Sequence, residues 1–105
     1  MTTVATPPTI HEATLGGNGA VIKGAVIDLS QAATIRSRGG EIVVCGPDLG
    51  ANRRLAGLIE RNANGATQRC IPHESAGPHA LPHFQPKLRP PKGHTFYETA
   101  TRRAF

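Results

Sequence analysis

At 105 residues the chain has room for one domain of ordinary size, which excludes a two-domain enzyme, and 38% apolar with 4% aromatic residues implies a small aliphatic core. Its 12 Lys and Arg against 7 Asp and Glu leave a formal charge of +5, which favours anionic partners. No apolar run approaches the roughly 18–20 residues of a membrane span, and the opening MTTVATPPT lacks the basic flank and apolar block of a secretory signal, so the chain reads as a soluble domain with no membrane partner.

Residues 1–19, with Pro7-Pro8 near the start and Gly16, Gly17 and Gly19 near the end, read as a loose N-terminal segment or linker ahead of one domain over 20–105. Residues 20–27, rich in Val and Ile, predict a strand. Asp28 followed by Gln31 has the capping-box pattern of a helix, which Gly39-Gly40 should end. Residues 41–45 give the best strand signal in the chain, broken by Gly46-Pro47 before Asp48 caps a second helix. From 48 to 62, Leu49, Ala51, Leu55, Leu58 and Ile59 recur at three- and four-residue steps, leaving Arg53, Arg54, Glu60 and Arg61 largely for the solvent side. Asn64-Gly65 supplies the stop, and 67–71 reads as a short strand. Residues 72–93 show neither helical nor strand period and are longer than an ordinary connection. HTFYE at 94–98 has the β-branched and aromatic content of a last strand, with His94, Phe96 and Glu98 on one face and Thr95 and Tyr97 on the other.

Polar chemistry gathers in the last third. His73, His79, His83 and His94 are interleaved there with Lys87, Arg89 and Lys92, and Thr95 and Tyr97 follow. Imidazole changes charge near neutral pH, so two such rings can take a proton from one oxygen and return one to another while Lys and Arg hold an anionic transition state. These are the parts needed to cleave RNA without a metal: the 2′-hydroxyl attacks its own phosphate, one side chain deprotonates it and another protonates the leaving 5′-oxygen. Prolines fix φ at several points of the segment and restrict the freedom of the histidines. A catalytic metal has weaker support, because HExxH is absent, Pro82 lies between His79 and His83, and the nearby acidic residues are Glu74 and Glu98. The expected metal-ligand set is therefore none, and no cofactor is called for.

Other signals are open to two readings. Gly46-Pro47-Asp48 ahead of a helix offers free N–H groups to a phosphate, although Asp48 itself competes for them. Arg53, Arg54 and Arg61 form a solvated helix face or the outer part of an RNA-binding surface. Cys45 and Cys70 have no zinc-ribbon spacing; they read as two buried thiols, or as one bridge if their strands are neighbours.

The run GPHALPHFQP followed by GHTFYE, after DLSQA, IVVCGP and NRRLA, resembles the C-terminal toxin domains of bacterial polymorphic and contact-dependent inhibition systems. In layout it is most similar to the metal-independent ribonucleases of the barnase, EndoU, colicin and RelE group. That resemblance implies an α+β fold in which two N-terminal helices pack on a small twisted, mainly antiparallel sheet, with the long Pro/His-rich loop before the last strand. It also implies an endoribonuclease acting on RNA, often tRNA, a dedicated immunity protein, and delivery within a larger effector to the cytoplasm of a target cell. Carried to this chain, His83 and His94 are the expected acid/base pair with His79 in reserve, Thr95 or Tyr97 orients the scissile group, and Lys87, Arg89 and Lys92 bind phosphate. The abundance of histidines keeps a metal-dependent HNH-like nuclease as one alternative, and a non-catalytic basic module binding nucleic acid or protein is the other.

Overall fold

The computed structural model of the chain describes residues 7–70, 79–87 and 92–105. In chain order these form strands β1 (Thr9–Leu15) and β2 (Val21–Ile27) with a 3-10 turn between them, helix α1 (Leu29–Ser37), strand β3 (Ile42–Cys45), helix α2 (Leu49–Asn64), and strands β4 (Thr67–Cys70), β5 (His83–Pro86) and β6 (Thr95–Tyr97). The strands make one mixed sheet in the order β2-β1-β3-β6-β5-β4. Neighbours are antiparallel except β3 and β6, which run parallel at the centre with Ile42 opposite Thr95 and Val44 opposite Tyr97.

This corrects the expected architecture. Two strands precede the first helix, so the helices are not N-terminal, and a six-stranded sheet with a parallel central pair replaces the small one expected. β1, TIHEATL, falls in the segment read as loose: Ile10 is its one buried residue, so the alternation that marks a half-buried strand is faint. β1 nonetheless pairs on both sides, with β2 and β3. β5, HFQP, falls in the segment read as irregular. Prolines before and at its end hide it in the sequence, and Pro86 is tolerated because the ladder closes there, Lys87 N–H passing to the Ala66 carbonyl.

Helices α1 and α2 pack on one face of the sheet, where Ala32, Ala56 and Ile59 meet Ile10, Ile42, Val44 and Tyr97. Both begin as the sequence predicts. Asp28 Oδ1 accepts from Gln31 N–H at 2.7 Å while Gln31 Oε1 accepts from Asp28 N–H at 2.9 Å, and Asp48 accepts from Ala51 N–H at 3.2 Å. Under the helices lies a buried ionic network. Arg36 Nε donates to Glu60 Oε1 at 2.8 Å, and the Thr95 hydroxyl donates to the same oxygen at 3.0 Å. Arg36 Nη1 also donates to the carbonyls of Gly40 and Lys92, tying α1 to the approach to β6. Gly93 makes this approach possible: its φ is +90°, and a Cβ there would stand 2.5 Å from Arg36 Nη1 and 2.6 Å from the Gly39 carbonyl oxygen.

The opposite face carries a second apolar cluster of Val21, Val43, Cys45, Leu81 and Phe96, with Ala13 and Ala104 packed against it. The segment after β6 crosses this face and ends on β2, where Phe105 exchanges backbone hydrogen bonds with Val21 and Lys23. Glu98 anchors it, accepting from the N–H groups of Gly46 and Ala104. Cys45 and Cys70 are both free. Because β6 and β5 stand between their strands, three strand spacings of about 4.8 Å separate them, beyond the roughly 7 Å that a disulfide spans. Among the described residues, no helix is long and apolar enough to cross a membrane.

Candidate functional site

Parallel pairing of β3 and β6 sets Ile42 opposite Thr95, so the residues just before them, Glu41 and His94, also come together. Glu41 Oε2 accepts from the His94 backbone N–H at 2.9 Å and from His94 Nδ1–H at 3.0 Å. Two hydrogen bonds to one carboxylate fix both the backbone and the ring of His94. With Nδ1–H committed to Glu41, the lone pair of the neutral ring sits on Nε2. His94 keeps 27% of its side-chain surface exposed, and Glu41 keeps 20%.

Antiparallel pairing of β5 with β6 then places His83 opposite Phe96. The His83 ring lies edge-on to His94 with centroids 4.5 Å apart, and Phe96 packs against both rings. His83 Nε2 and Gln85 Oε1 are 3.3 Å apart. Its other nitrogen, Nδ1, is buried without a hydrogen bond of normal geometry, the Leu81 carbonyl giving only a weak pull toward the protonated ring. Burial first, and the neighbouring His94 second, lower the His83 pKa below the ordinary imidazole value. His83 is therefore neutral at pH 7, and it adds no positive charge beside His94.

The remaining expected site residues are spread more widely. His79 is exposed and lies at another place in the fold, its ring against Phe105 and its N–H on the Asn18 carbonyl. Thr95 is fully buried on the helix face and belongs to the Glu60 network. Tyr97 is on that same face, packed on Phe84. Burial pushes its phenol up while Arg69, which hydrogen-bonds it, and Arg53 pull it back. Lys92 is exposed two residues before His94. Lys87 is exposed at the far end of β5, four strand residues or about 13 Å from His83. Arg89 and His73 lie outside the described residues. Among the described residues there is no group of three or more His, Cys, Asp and Glu placed to hold a metal ion. Burial, followed by Glu98, pushes the Cys45 thiol up to about 11, which leaves it unreactive.

Sequence reasoning missed Glu41, because no spacing in the chain relates it to a histidine 53 positions away; only the parallel pairing does. It also left Arg53, Arg54 and Arg61 undecided. These side chains flank α2 and face Arg69 of β4 across an open groove of about 650 Å³, with Gly57, Leu58 and Phe84 completing the lining. A second cavity of about 390 Å³ shares Arg53 and Arg69 and reaches Leu49, Tyr97 and Arg102. Comparison of the chain with family models, curated proteins and solved structures finds no match in any of the three.

Proposed function

We propose that the chain is a metal-independent endoribonuclease of the toxin type, with His94 as the residue that exchanges protons with RNA. The observation that carries this reading is the Glu41–His94 hydrogen bond with the His83 ring 4.5 Å from His94. In the proposed reaction His94 Nε2 takes the proton of the 2′-hydroxyl as its oxygen attacks phosphorus. The bond from phosphorus to the 5′-oxygen breaks, leaving a 2′,3′-cyclic phosphate, and the 5′-oxygen receives a proton from the histidine pair. The pair takes one proton and returns one, and so ends as it began. Neutral His83 leaves the transient imidazolium on His94 unopposed, and the Glu41 carboxylate balances it. Lys92, exposed two residues away, is the nearest cation in sequence for the phosphate.

Two strands precede the first helix and the sheet has six strands, unlike the layout that the resemblance implies, so the proposal stands on side chains and on the GPHALPHFQP and GHTFYE motifs, not on the fold. With it go the expectations carried by those motifs: delivery within a larger effector, action in the target cytoplasm and a dedicated immunity protein. Incubation of the purified chain with total RNA, with and without EDTA, tests the reading. Cleavage is expected to survive chelation and to leave 2′,3′-cyclic ends, and His94→Ala is expected to lower the rate by about 10²- to 10⁴-fold without loss of fold. Undiminished cleavage by a folded His94→Ala protein removes the proposed role; cleavage abolished by EDTA replaces it with a metal-dependent nuclease.

A further inference from the structure

The groove on the helix face stands apart from the histidine pair. Strand parity puts Arg69 and Phe84 on that face, with Tyr97, while His83 and Phe96 look the other way. Arg53, Arg54, Arg61 and Arg69 are all exposed, and none makes an ion pair among the described residues. Among the described residues no carboxylate lines either cavity, although Arg102 adds a fifth guanidinium to the second. Gathering like charges without counter-charges costs stability through mutual repulsion, and a bound anion relieves it.

From this we infer that the groove is a binding site for single-stranded nucleic acid, with its phosphates on the arginines and its bases on the apolar floor. Two features select this ligand over a single small anion. Arg54 and Arg61 are seven helical residues apart, about 10 Å along the axis, so one phosphate does not bridge them and a string of phosphates does. Between the cations lie apolar surfaces: the half-buried Phe84 ring, Leu58 at 41% exposed and Leu49 at 39%. Guanidinium forks match phosphate oxygens, and an apolar or aromatic floor accepts the face of any base. A duplex hides its base faces and so has no use for that floor. An acidic protein surface would meet the cations but leave the concave floor without a partner. Gly57 keeps the floor low, since a Cβ there would press to 3.2 Å on Phe84 and 3.1 Å on Arg61.

The site does not depend on cleavage, so its test is one of binding. Fluorescence anisotropy with a labelled 2′-O-methyl oligoribonucleotide, which lacks the attacking hydroxyl, measures affinity against salt for the intact chain and for Arg53→Ala/Arg69→Ala. The double variant is expected to bind at least tenfold more weakly at about 0.1 M salt, with a salt slope shallower by about 1.4 for two lost single-strand phosphate contacts. Should that variant fail to fold, Arg54→Ala/Arg61→Ala, which changes two exposed positions of α2, is expected to show the same loss. Lys23→Ala/Arg38→Ala removes equal charge elsewhere and is expected to bind nearly as the intact chain does. Unchanged binding in the folded groove variants overturns the inference, as does an equal loss in the Lys23/Arg38 control. Displacement of the oligonucleotide by poly-glutamate or by duplex RNA at equal charge as readily as by a single strand also overturns it. Failure of the intact chain to cleave RNA bears only on the proposed enzyme.

Discussion

Two charged pairs, one on each face of the sheet, are held in opposite ways. On the helix face, Arg36 and Glu60 are fully buried, and each is bonded to several partners, so the charges serve cohesion. On the other face, Glu41 and His94 remain partly exposed and their bond closes no buried network. One strand serves both, since β6 sends Thr95 and Tyr97 to the first and Phe96 to the second, with His94 just ahead of it. Residues adjacent in sequence thus take unrelated tasks once pleat and pairing assign their faces.

Three substitutions separate the roles of the two faces. The largest effect on folding is expected for Arg36→Leu, which strands the Glu60 charge and should cost about 3–5 kcal/mol in denaturant titration. A loss below about 1 kcal/mol would mean that the helix face does not lean on this pair. Next comes Gly93→Ala, where both faces meet. Holding a non-glycine residue at positive φ costs on the order of 1–3 kcal/mol before the clash with Arg36 is counted, so a clear fall in thermal midpoint is expected. An unchanged midpoint would show that the approach to β6 adapts freely.

The smallest effect concerns His83, whose neighbours are His94, Phe96, Gln85 and, more distantly, Glu41. Its folded pKa is lowered, so as pH falls below about 6.5 the unfolded chain binds the proton first and stability declines; above that value the group contributes nothing to the pH dependence. His83→Leu is expected to flatten the acid side of a plot of thermal midpoint against pH and to leave its slope above pH 7 alone. The same acid slope in both proteins would place the titration elsewhere.

Both helices were legible in the chain, although Glu60, expected on the solvent side, is fully buried, and Leu49 and Leu58, expected on the apolar side, are exposed. Asp28 with Gln31, and Leu49 to Ile59 at helical spacing, mark α1 and α2 because caps and amphipathic periods are local. β3 was legible as a continuous apolar run, and it is buried along its whole length. β1 and β5 were not, since one has a single buried residue and the other ends in Pro86 between strands far away in sequence. His83 and His94 drew attention by composition, whereas the Glu41 contact is created by a parallel pairing that no local pattern encodes. The arginine groove is likewise tertiary: α2 brings three of its cations, but Arg69 and Phe84 arrive on β4 and β5.

The position of β6 has a consequence for biosynthesis. Strands β2, β1 and β3 form one paired group and β5 with β4 another, and no direct pairing joins the two; the segment that wedges between them is translated after both. A nascent chain can thus zip each group separately, yet His94 meets Glu41 and His83 only when the final wedge is seated. The histidine pair is therefore assembled only after every other strand of the sheet has been made.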